Sequence, residues 1–259
     1  MEFRLSALCA LVRTAGEILL GDGAAQVSEK GYADFVTGAD LAVQRFLTEK
    51  LAEQYPGADL LSEESARLPD RSRPVFILDP VDGTTNLIRR LRQSCISLGL
   101  VIGGAPVIGI VYNPFSGELY SGERGCGSFL NGRRLSVRPT ACLRDSLAAV
   151  GTSPYHRENG PENMRLVAKV FEACLDVRRF GSSALDLCAV ADGRYELFCE
   201  AGLRPWDFCA GSLILTEAGG KITDWQGREP DPFSDLNLAA TNGNVHTELL
   251  ALLSDICLK

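Results

Sequence analysis

Apolar residues recur at two spacings along the chain, and each spacing predicts one kind of element. Near the N-terminus they fall every three or four positions, as at Leu8, Leu11 and Ala15, which is the period of an amphipathic helix. The same period follows Thr37, a residue type that caps helices, and it stops at Pro56. The period predicts helices over 3–20, 37–55, 162–173, 183–191, 207–218 and at the C-terminal end.

Short apolar or alternating runs separate these segments, and they predict strands. Gly103-Gly104 and Asn131-Gly132 are turn signals between such runs, as in hairpins. The predicted strands are 58–62, 75–78, 94–103, 106–113, 119–122, 127–130, 146–151, 195–200, 221–224 and 238–241. Because strands and helices are mixed throughout, the pattern predicts an α/β or α+β class. The length of 259 residues suits one large domain or two closely packed ones, with a division near 135–145.

Net charge, apolar run length and cysteine spacing limit the binding partners and the cellular compartment that we expect. The formal net charge is −7, and an acidic chain is a poor candidate for general nucleic-acid binding. The apolar run Leu5–Val12 is too short to span a membrane and is followed by Arg13, so we expect neither a membrane helix nor a signal peptide. The nine cysteines include no C-x-x-C pair, which predicts free thiols in a reducing cytoplasm rather than disulfides or a zinc site.

Candidate chemistry lies in acidic positions rather than in histidines. His156 and His246 are the only histidines, neither stands in a triad signature, and both are expected at the surface. Asp79 and Asp82, in contrast, follow an apolar strand directly and precede Gly83. One such Asp could merely cap a turn, but two adjacent carboxylates repel unless a cation lies between them. Hard oxygen ligands select Mg²⁺, Mn²⁺ or Ca²⁺, and Gly83 allows the backbone to approach an anion, so the segment predicts a metal-assisted phosphate site.

Three other acidic positions complete a set. Glu63 follows a predicted strand, Asp40 lies in the first turn of a predicted helix, and Asp207 begins another. Taken singly, each has an ordinary structural explanation, such as an N-cap for Asp207. The four motifs occur in a fixed order: D-x-V-T-x-x-D at 34–40, E-E at 63–64, D-P-V-D-G-T-T-N at 79–86 and P-W-D-x-x-A-G at 205–211.

With these motifs, the sequence resembles the inositol monophosphatase family. That family belongs to a group of lithium-sensitive, magnesium-dependent phosphatases that includes fructose bisphosphatases and phosphatases of 3′-phosphoadenosine 5′-phosphate. The resemblance covers nearly the whole chain, including G-S-S-A-L-D at 181–186. It implies a layered α-β-α-β-α fold and a homodimer. It also implies an N-terminal α+β lobe over 1–140 with most metal ligands, and a C-terminal α/β lobe over 141–259 with Glu200 and Asp207.

The resemblance further implies a role for each matching residue. Two or three Mg²⁺ ions, with Mn²⁺ as a possible substitute, would be held by Glu63, Asp79, the Val81 carbonyl, Asp82 and Asp207. Thr84 would orient a nucleophilic water together with Glu63, and Asp40 would support Thr84, which makes these three the catalytic set. The substrate would be bound by Asp82, Gly83, Thr84, Thr85, Glu200 and Asp207, with Lys30 helping to neutralise the phosphate.

The implied activity is Mg²⁺-dependent hydrolysis of a phosphate monoester of a small metabolite by metal-activated water. Inositol monophosphate is the first expected substrate, because Glu200 and P-W-D have the spacing of that subgroup. Fructose 1,6-bisphosphate and 3′-phosphoadenosine 5′-phosphate are the alternatives. The chain departs from the family pattern at Ser62, at Leu87 and in the run I-R-R-L-R at 88–92. The three arginines of that run could bind a second phosphate, form a solvated face or contact a second copy.

Two other interpretations are weaker. A haloacid-dehalogenase-type phosphatase has the signature D-x-D-G-T, whereas Asp79 and Asp82 stand three positions apart. A catalytically silent protein that binds a sugar phosphate would be expected to have lost a metal ligand. The chain keeps Glu63, Asp79, Asp82, Thr84 and Asp207.

Overall fold

The computed structural model describes residues 2–21, 27–31, 34–65 and 67–256. Within these ranges the chain forms seven α-helices, two mixed β-sheets and one two-stranded hairpin. The helices are α1 (Leu5–Leu19), α2 (Gly38–Gln54), α3 (Thr84–Ile88), α4 (Gly160–Ala173), α5 (Ser183–Ala191), α6 (Pro205–Glu217) and α7 (His246–Leu253).

The strands divide between the sheets in chain order. The hairpin pairs β1 (Val27–Gly31) with β2 (Asp34–Thr37). The larger sheet has seven strands in sequential order: β3 (Asp59–Ser62), β4 (Val75–Asp82), β5 (Cys95–Ile102), β6 (Ala105–Asn113), β7 (Glu118–Glu123), β8 (Gly127–Leu130) and β9 (Arg133–Arg134). The smaller sheet has the order β11-β10-β12-β14-β13, formed by β10 (Leu147–Val150), β11 (Asp176–Arg178), β12 (Leu197–Leu203), β13 (Lys221–Asp224) and β14 (Leu236–Thr241).

Helices and sheets alternate in five layers, which confirms the fold expected from the resemblance. Leu8 of α1 and Leu47 of α2 share one apolar cluster with Leu98 of the larger sheet. A second cluster joins the other face of that sheet to α5, α6 and the smaller sheet, and a third packs α4 and α7 on the smaller sheet's outer face. Each sheet is thus covered on both faces, so burial of apolar surface stabilises all five layers.

Helix α6 ties the two halves of the chain together. It follows the smaller sheet's β12 in sequence but packs against β5 and β6 of the larger sheet. A Cβ at Gly99 would lie 2.7 Å from the Cys209 sulfur, and a Cβ at Gly109 would collide with the Ala210 carbonyl. The larger sheet ends at Arg134 and the smaller begins at Leu147, so the boundary expected between 140 and 141 falls between them. The division into two lobes stays a prediction, because both sheets share the middle helices.

The structure also bears on the expectations of free cysteines and of no membrane helix, within the ranges that it describes. Every cysteine there, from Cys9 to Cys209, is a free thiol, while Cys257 lies outside those ranges. No helix in this part of the chain is both long and apolar enough to cross a bilayer.

The expectation that His246 lies at the surface is wrong. Its side chain is 1% exposed, and its two ring nitrogens lie 2.9 Å from Thr223 Oγ1 and 3.0 Å from Thr241 Oγ1. These hydroxyls bind a neutral ring between β13 and β14, and burial lowers the pKa of His246 to about 4. His156, in contrast, keeps an exposed side chain.

This burial predicts a pH-dependent contribution to stability. The folded state holds His246 neutral down to about pH 4, whereas the unfolded chain takes up the proton below about 6.5. The unfolded state therefore binds more protons within that window, so stability should fall as the pH is lowered through it. We expect the Tm of the wild type to fall more steeply between pH 6.5 and 4 than that of His246→Gln, as measured by calorimetry. Parallel slopes would contradict this assignment.

Candidate active site

A cavity of about 590 Å³ lies where the end of β4 meets the N-termini of α5 and α6. It brings together most of the residues singled out in the sequence, although they come from both halves of the chain. Its walls include Glu63, Asp79, Val81, Asp82, Gly83, Thr84, Thr85, Glu200 and Asp207. Arg89, Arg90 and Arg92 are exposed and are absent from the described residues that line it, so contact with a second phosphate there is the least favoured of their three roles.

The last residues of β4 carry two of the carboxylates. The strand is buried along its whole length and runs on to Asp82, four residues beyond the predicted end. Its pairing with β5 shifts register between Asp79 and Asp82, where Pro80 has no N–H to donate to a neighbouring strand. The resulting bulge ends regular pairing at the cavity, and both carboxylates line its wall.

Gly83 makes the turn from β4 into α3. Its φ is +88°, and a Cβ there would lie 2.8 Å from the Gln93 carbonyl oxygen and 3.1 Å from that of Gly181. Only glycine meets both demands without strain. The turn places Thr84 and Thr85 in the first turn of α3, where backbone N–H groups have no acceptor within the helix. The predicted phosphate-binding backbone therefore lies at the cavity wall.

Asp40 lies behind Thr84 rather than in the cavity wall. Thr84 Oγ1 lies 3.2 Å from Asp40 Oδ1 and 3.1 Å from the Val81 carbonyl oxygen. The other carboxylate oxygen of Asp40 accepts hydrogen bonds from the Thr37 N–H at 2.9 Å and the Thr37 hydroxyl at 2.5 Å. This capping box begins α2 and fixes Asp40, while burial raises the pKa of its carboxyl.

Each remaining aspartate has one oxygen held by the protein. Asp79 Oδ1 accepts from the Val81 N–H at 2.9 Å, and Asp207 Oδ2 accepts from the Arg204 N–H at 2.7 Å. Asp207 is therefore not the N-cap that its sequence position suggested, because Arg204 has that place and Asp207 is the third residue of the helix. It also lines the cavity. In the described part of the chain, no hydrogen bond reaches the second oxygen of Asp79 or Asp207, which leaves that oxygen for a ligand.

Asp82 is held across the boundary between the two halves. Its Oδ2 accepts from the Ser182 hydroxyl at 2.6 Å and from the Ala184 N–H at 2.8 Å. Ser182 is the N-cap of α5, so a helix N-terminus, which favours negative charge, stabilises this carboxylate. Burial nevertheless raises the pKa of Asp82 to about 6.

The electrostatics of the cavity favour a cation. Burial and the nearby charges of Glu63, Asp82 and Asp207 raise the pKa of Asp79 well above its usual range. Burial and Asp82 do the same for Asp207. Among the described residues, no three acidic, histidine or cysteine side chains form a compact ligand cluster. Buried carboxylates with free hard oxygens fit a divalent ion such as Mg²⁺.

Glu200 lines the same cavity from β12. Its Oε1 accepts from the Ser153 N–H at 3.0 Å and its Oε2 from the Ser183 hydroxyl at 2.9 Å. These donors fix the carboxylate, and burial raises its pKa. The side chain of Lys30, whose role was expected at the phosphate, lies outside the described residues.

Sequence reasoning missed several residues that build this site. Ser182 and Ser183 hold Asp82 and Glu200, and Asn86 donates to the Phe180 carbonyl at 2.7 Å. The G-S-S-A-L-D motif was the available signal, but it carried no assigned role. The contact between Asp82 and Ser182 spans 100 positions, and no local pattern encodes such a pair.

Comparisons with known proteins agree with this geometry. The family model described as "Inositol monophosphatase family" matches residues 1–257. The Nus factor SuhB of Escherichia coli (strain K12) is 38% identical over 233 residues, covering 90% of this chain and 87% of that protein. The inositol-1-monophosphatase of Synechocystis sp. is 37% identical over 231 residues, covering 88% and 80%. The solved Thermotoga maritima IMPase superposes with a TM-score of 0.90 at 29% identity, covering 98% and 97%.

Proposed function

The chain belongs to the inositol monophosphatase family, and from that premise we propose that it hydrolyses the phosphate monoester of a small metabolite, with inositol monophosphate as the first candidate. Family membership and the phosphatases among its structural neighbours are consistent with a phosphoric monoester hydrolase. The observation that carries the proposal is one cavity in which Asp79, Asp82 and Asp207 meet the turn at Gly83.

Mg²⁺ is the proposed cofactor, at two to three ions per site, with Mn²⁺ as a substitute. When bound, such ions neutralise charge on the phosphoryl oxygens and lower the pKa of a bound water. The donor set fits, because it consists of hard oxygens and because one carboxylate oxygen each of Asp79 and Asp207 accepts no hydrogen bond from the described residues. The residues that would hold the ions are Glu63, Asp79, the Val81 carbonyl, Asp82 and Asp207.

The chain's own residues would orient the nucleophile. The Thr84 hydroxyl has one proton, which it donates to Asp40 or to the Val81 carbonyl. Its lone pairs then remain to accept a hydrogen bond from the attacking water, with Glu63 as a second acceptor. Because Thr37 fixes Asp40, the Thr84 oxygen is held in place before the substrate arrives.

Other residues would hold the two ends of the substrate. The N–H groups at the start of α3 would bind the phosphate, since positioning and charge stabilisation matter most in phosphoryl transfer. Glu200, fixed by Ser153 and Ser183, would accept a hydrogen bond from a hydroxyl group of the leaving group. The catalytic and substrate-binding assignments remain proposals.

Phosphate release tests the function. Purified protein is supplied with inositol 1-phosphate, fructose 1,6-bisphosphate or 3′-phosphoadenosine 5′-phosphate, each with Mg²⁺, with chelator and with added Li⁺. We expect release that requires Mg²⁺, falls with Li⁺ and is fastest from inositol 1-phosphate. A faster alternative substrate would correct the substrate, and equal release with chelator would overturn the metal-dependent reaction.

We also propose that the chain forms a homodimer through an exposed face of α4. Met164 and Phe171 on this helix, and Leu175 just beyond it, are 54%, 59% and 68% exposed. Met164 and Phe171 are seven positions, or about two turns, apart and so share one side of the helix, and Leu175 follows the end of that helix. Exposed apolar side chains grouped in this way are typical of an interaction surface. Phe171→Glu should weaken the dimer by about tenfold or more, because it places a charge in an apolar contact. Light scattering during gel filtration measures this, and a wild-type monomer at micromolar concentration would contradict it.

The cytoplasmic location and the lack of a nucleic-acid partner also stay proposals. A cytoplasmic location is supported by the free thiols of the described cysteines. The lack of a nucleic-acid partner is supported by the net charge of −7. Retardation of RNA or DNA by the purified protein at physiological salt would overturn the second.

A further inference from the structure

Asp186 is a buried carboxylate that the proposed reaction does not use. It lies on α5, one turn after Ser182 and Ser183, and its side chain is 4% exposed. It lines the main cavity. Within the described ranges, no hydrogen bond and no ion pair reaches its carboxylate, and its oxygens are not fully enclosed by the protein.

A structural carboxylate in this chain has a different environment. Asp59 is also buried, but it accepts hydrogen bonds from the Leu60 and Asp70 N–H groups and from Arg67. Burying a carboxylate without such donors is costly, and burial together with Glu200 and Asp82 raises the pKa of Asp186 well above its usual range. A carboxylate that is buried in a cavity at a cost in folding free energy is typical of a residue that binds a ligand.

The position of Asp186 at two cavities indicates which ligand it could contact. The residue borders both the main cavity and a smaller one of about 190 Å³. It shares the wall of the main cavity with Glu200, Asp82 and Arg179, and the wall of the smaller one with Tyr195. Of these two spaces, the main cavity is the one that also holds Glu200, where the leaving group would lie.

The composition of the main cavity selects among leaving groups. Glu200 and Asp186 offer acceptor oxygens to that space, and each repels a second phosphate in its ionised form, which forms at a higher pH than usual because burial raises the pKa of both carboxyls. Arg179, exposed at the cavity, acts on both carboxylates, and Arg157 and Arg204 also line this cavity, so net charge alone does not decide between a hydroxyl group and a second phosphate there. The two acceptors decide instead, because neutral hydroxyl groups donate to both of them, whereas an ionised phosphate has no proton to donate to a carboxylate.

We propose that Asp186 is a specificity-determining residue that accepts a hydrogen bond from a leaving-group hydroxyl, beside the one bound by Glu200. The residue thereby selects polyhydroxylated monophosphates over substrates with a second phosphate at that position. This inference rests on the proposed hydrolysis.

Asp186→Ala removes the acceptor, and Asp186→Asn removes the charge while keeping a carbonyl oxygen. For inositol 1-phosphate, Asp186→Ala should lower kcat/KM by about tenfold or more, mainly through KM, because a hydrogen bond to a charged group is lost. Asp186→Asn should lie between Asp186→Ala and the wild type. For p-nitrophenyl phosphate, whose leaving group has no free hydroxyl, kcat/KM should change less than about twofold. For fructose 1,6-bisphosphate, both variants should be faster than the wild type.

Stability and a control variant separate this role from a structural one. Because the carboxylate is buried without a donor, the Tm of both variants should equal or exceed that of the wild type. Asp145→Ala, which removes an exposed carboxylate elsewhere, should leave all three substrates unaffected. A lowered Tm with equal loss on every substrate would overturn the inference while leaving the hydrolysis intact. A wild type that releases phosphate from none of them would instead refute the proposed function.

Discussion

Replacing Asp79 with asparagine should lower kcat for phosphate release by about 10³-fold or more, because it removes a ligand expected to bridge two ions. The change is nearly isosteric, and the Val81 N–H that now donates to Asp79 Oδ1 keeps an acceptor in the amide oxygen. The loss should therefore reflect missing charge rather than a misfolded site.

The same variant should be more stable than the wild type when no metal is present. Glu63, Asp82 and Asp207 all repel the buried Asp79 charge, and the amide relieves that repulsion. Thermal unfolding with chelator should show a raised Tm, and the rise in Tm that Mg²⁺ gives the wild type should be reduced or lost. Glu53→Gln, at an exposed position on α2, should match the wild type in both respects. Full turnover by Asp79→Asn would contradict the assignment of the metal site.

Replacing Thr84 with valine should lower kcat by about 10²-fold or more, in the range of proton-transfer and water-orienting groups. Valine keeps the branched shape but loses the hydroxyl, which is 3.2 Å from Asp40 Oδ1 and 3.1 Å from the Val81 carbonyl oxygen. An attacking water would lose its acceptor, and the buried Asp40 would lose a donor. KM should change much less than kcat, since the phosphate-binding backbone is untouched.

Thr84→Ser is the matched comparison, because it restores the hydroxyl without the methyl group. We expect it to recover most of the lost kcat in the same steady-state assay. Wild-type turnover by Thr84→Val would refute the water-orienting role. Equal losses in both variants would also contradict it, because the hydroxyl that Thr84→Ser retains would then not be what turnover requires.

Local sequence signals predicted the parts of the fold whose causes are local. Thr37 caps α2 as its residue type suggested, and the turn at Gly83 matches the glycine's conformational freedom. The end of β4 was placed too early, because Asp79-Pro80-Val81-Asp82 reads as a polar interruption. Pairing with Cys95 and Ser97 of β5 extends the strand through it. The short strands β1, β2 and β11 and the helix α3 were missed, since each is too brief to show a period.

In the candidate site, too, the sequence predicted residues with a local motif but not the contacts between distant residues. The acidic motifs predicted Glu63, Asp79, Asp82 and Asp207 because their residue types and order are distinctive, and all four line one cavity. The contacts that hold them, such as Ser182 on Asp82, join residues far apart in the sequence. The burial of His246 depends on Thr223 of β13 and Thr241 of β14, which lie on either side of its ring. The residues next to His246 in the sequence therefore did not predict that it is buried.

The most direct test of the central claim is a crystal of the protein soaked with Mn²⁺ and measured for anomalous scattering. We predict two or more peaks within the cavity, each within about 2.5 Å of carboxylate oxygens from Glu63, Asp79, Asp82 or Asp207. Such peaks would show that these acids bind the ions on which the proposed hydrolysis depends. An ordered cavity without a peak at saturating Mn²⁺, or peaks bound only elsewhere, would contradict the account.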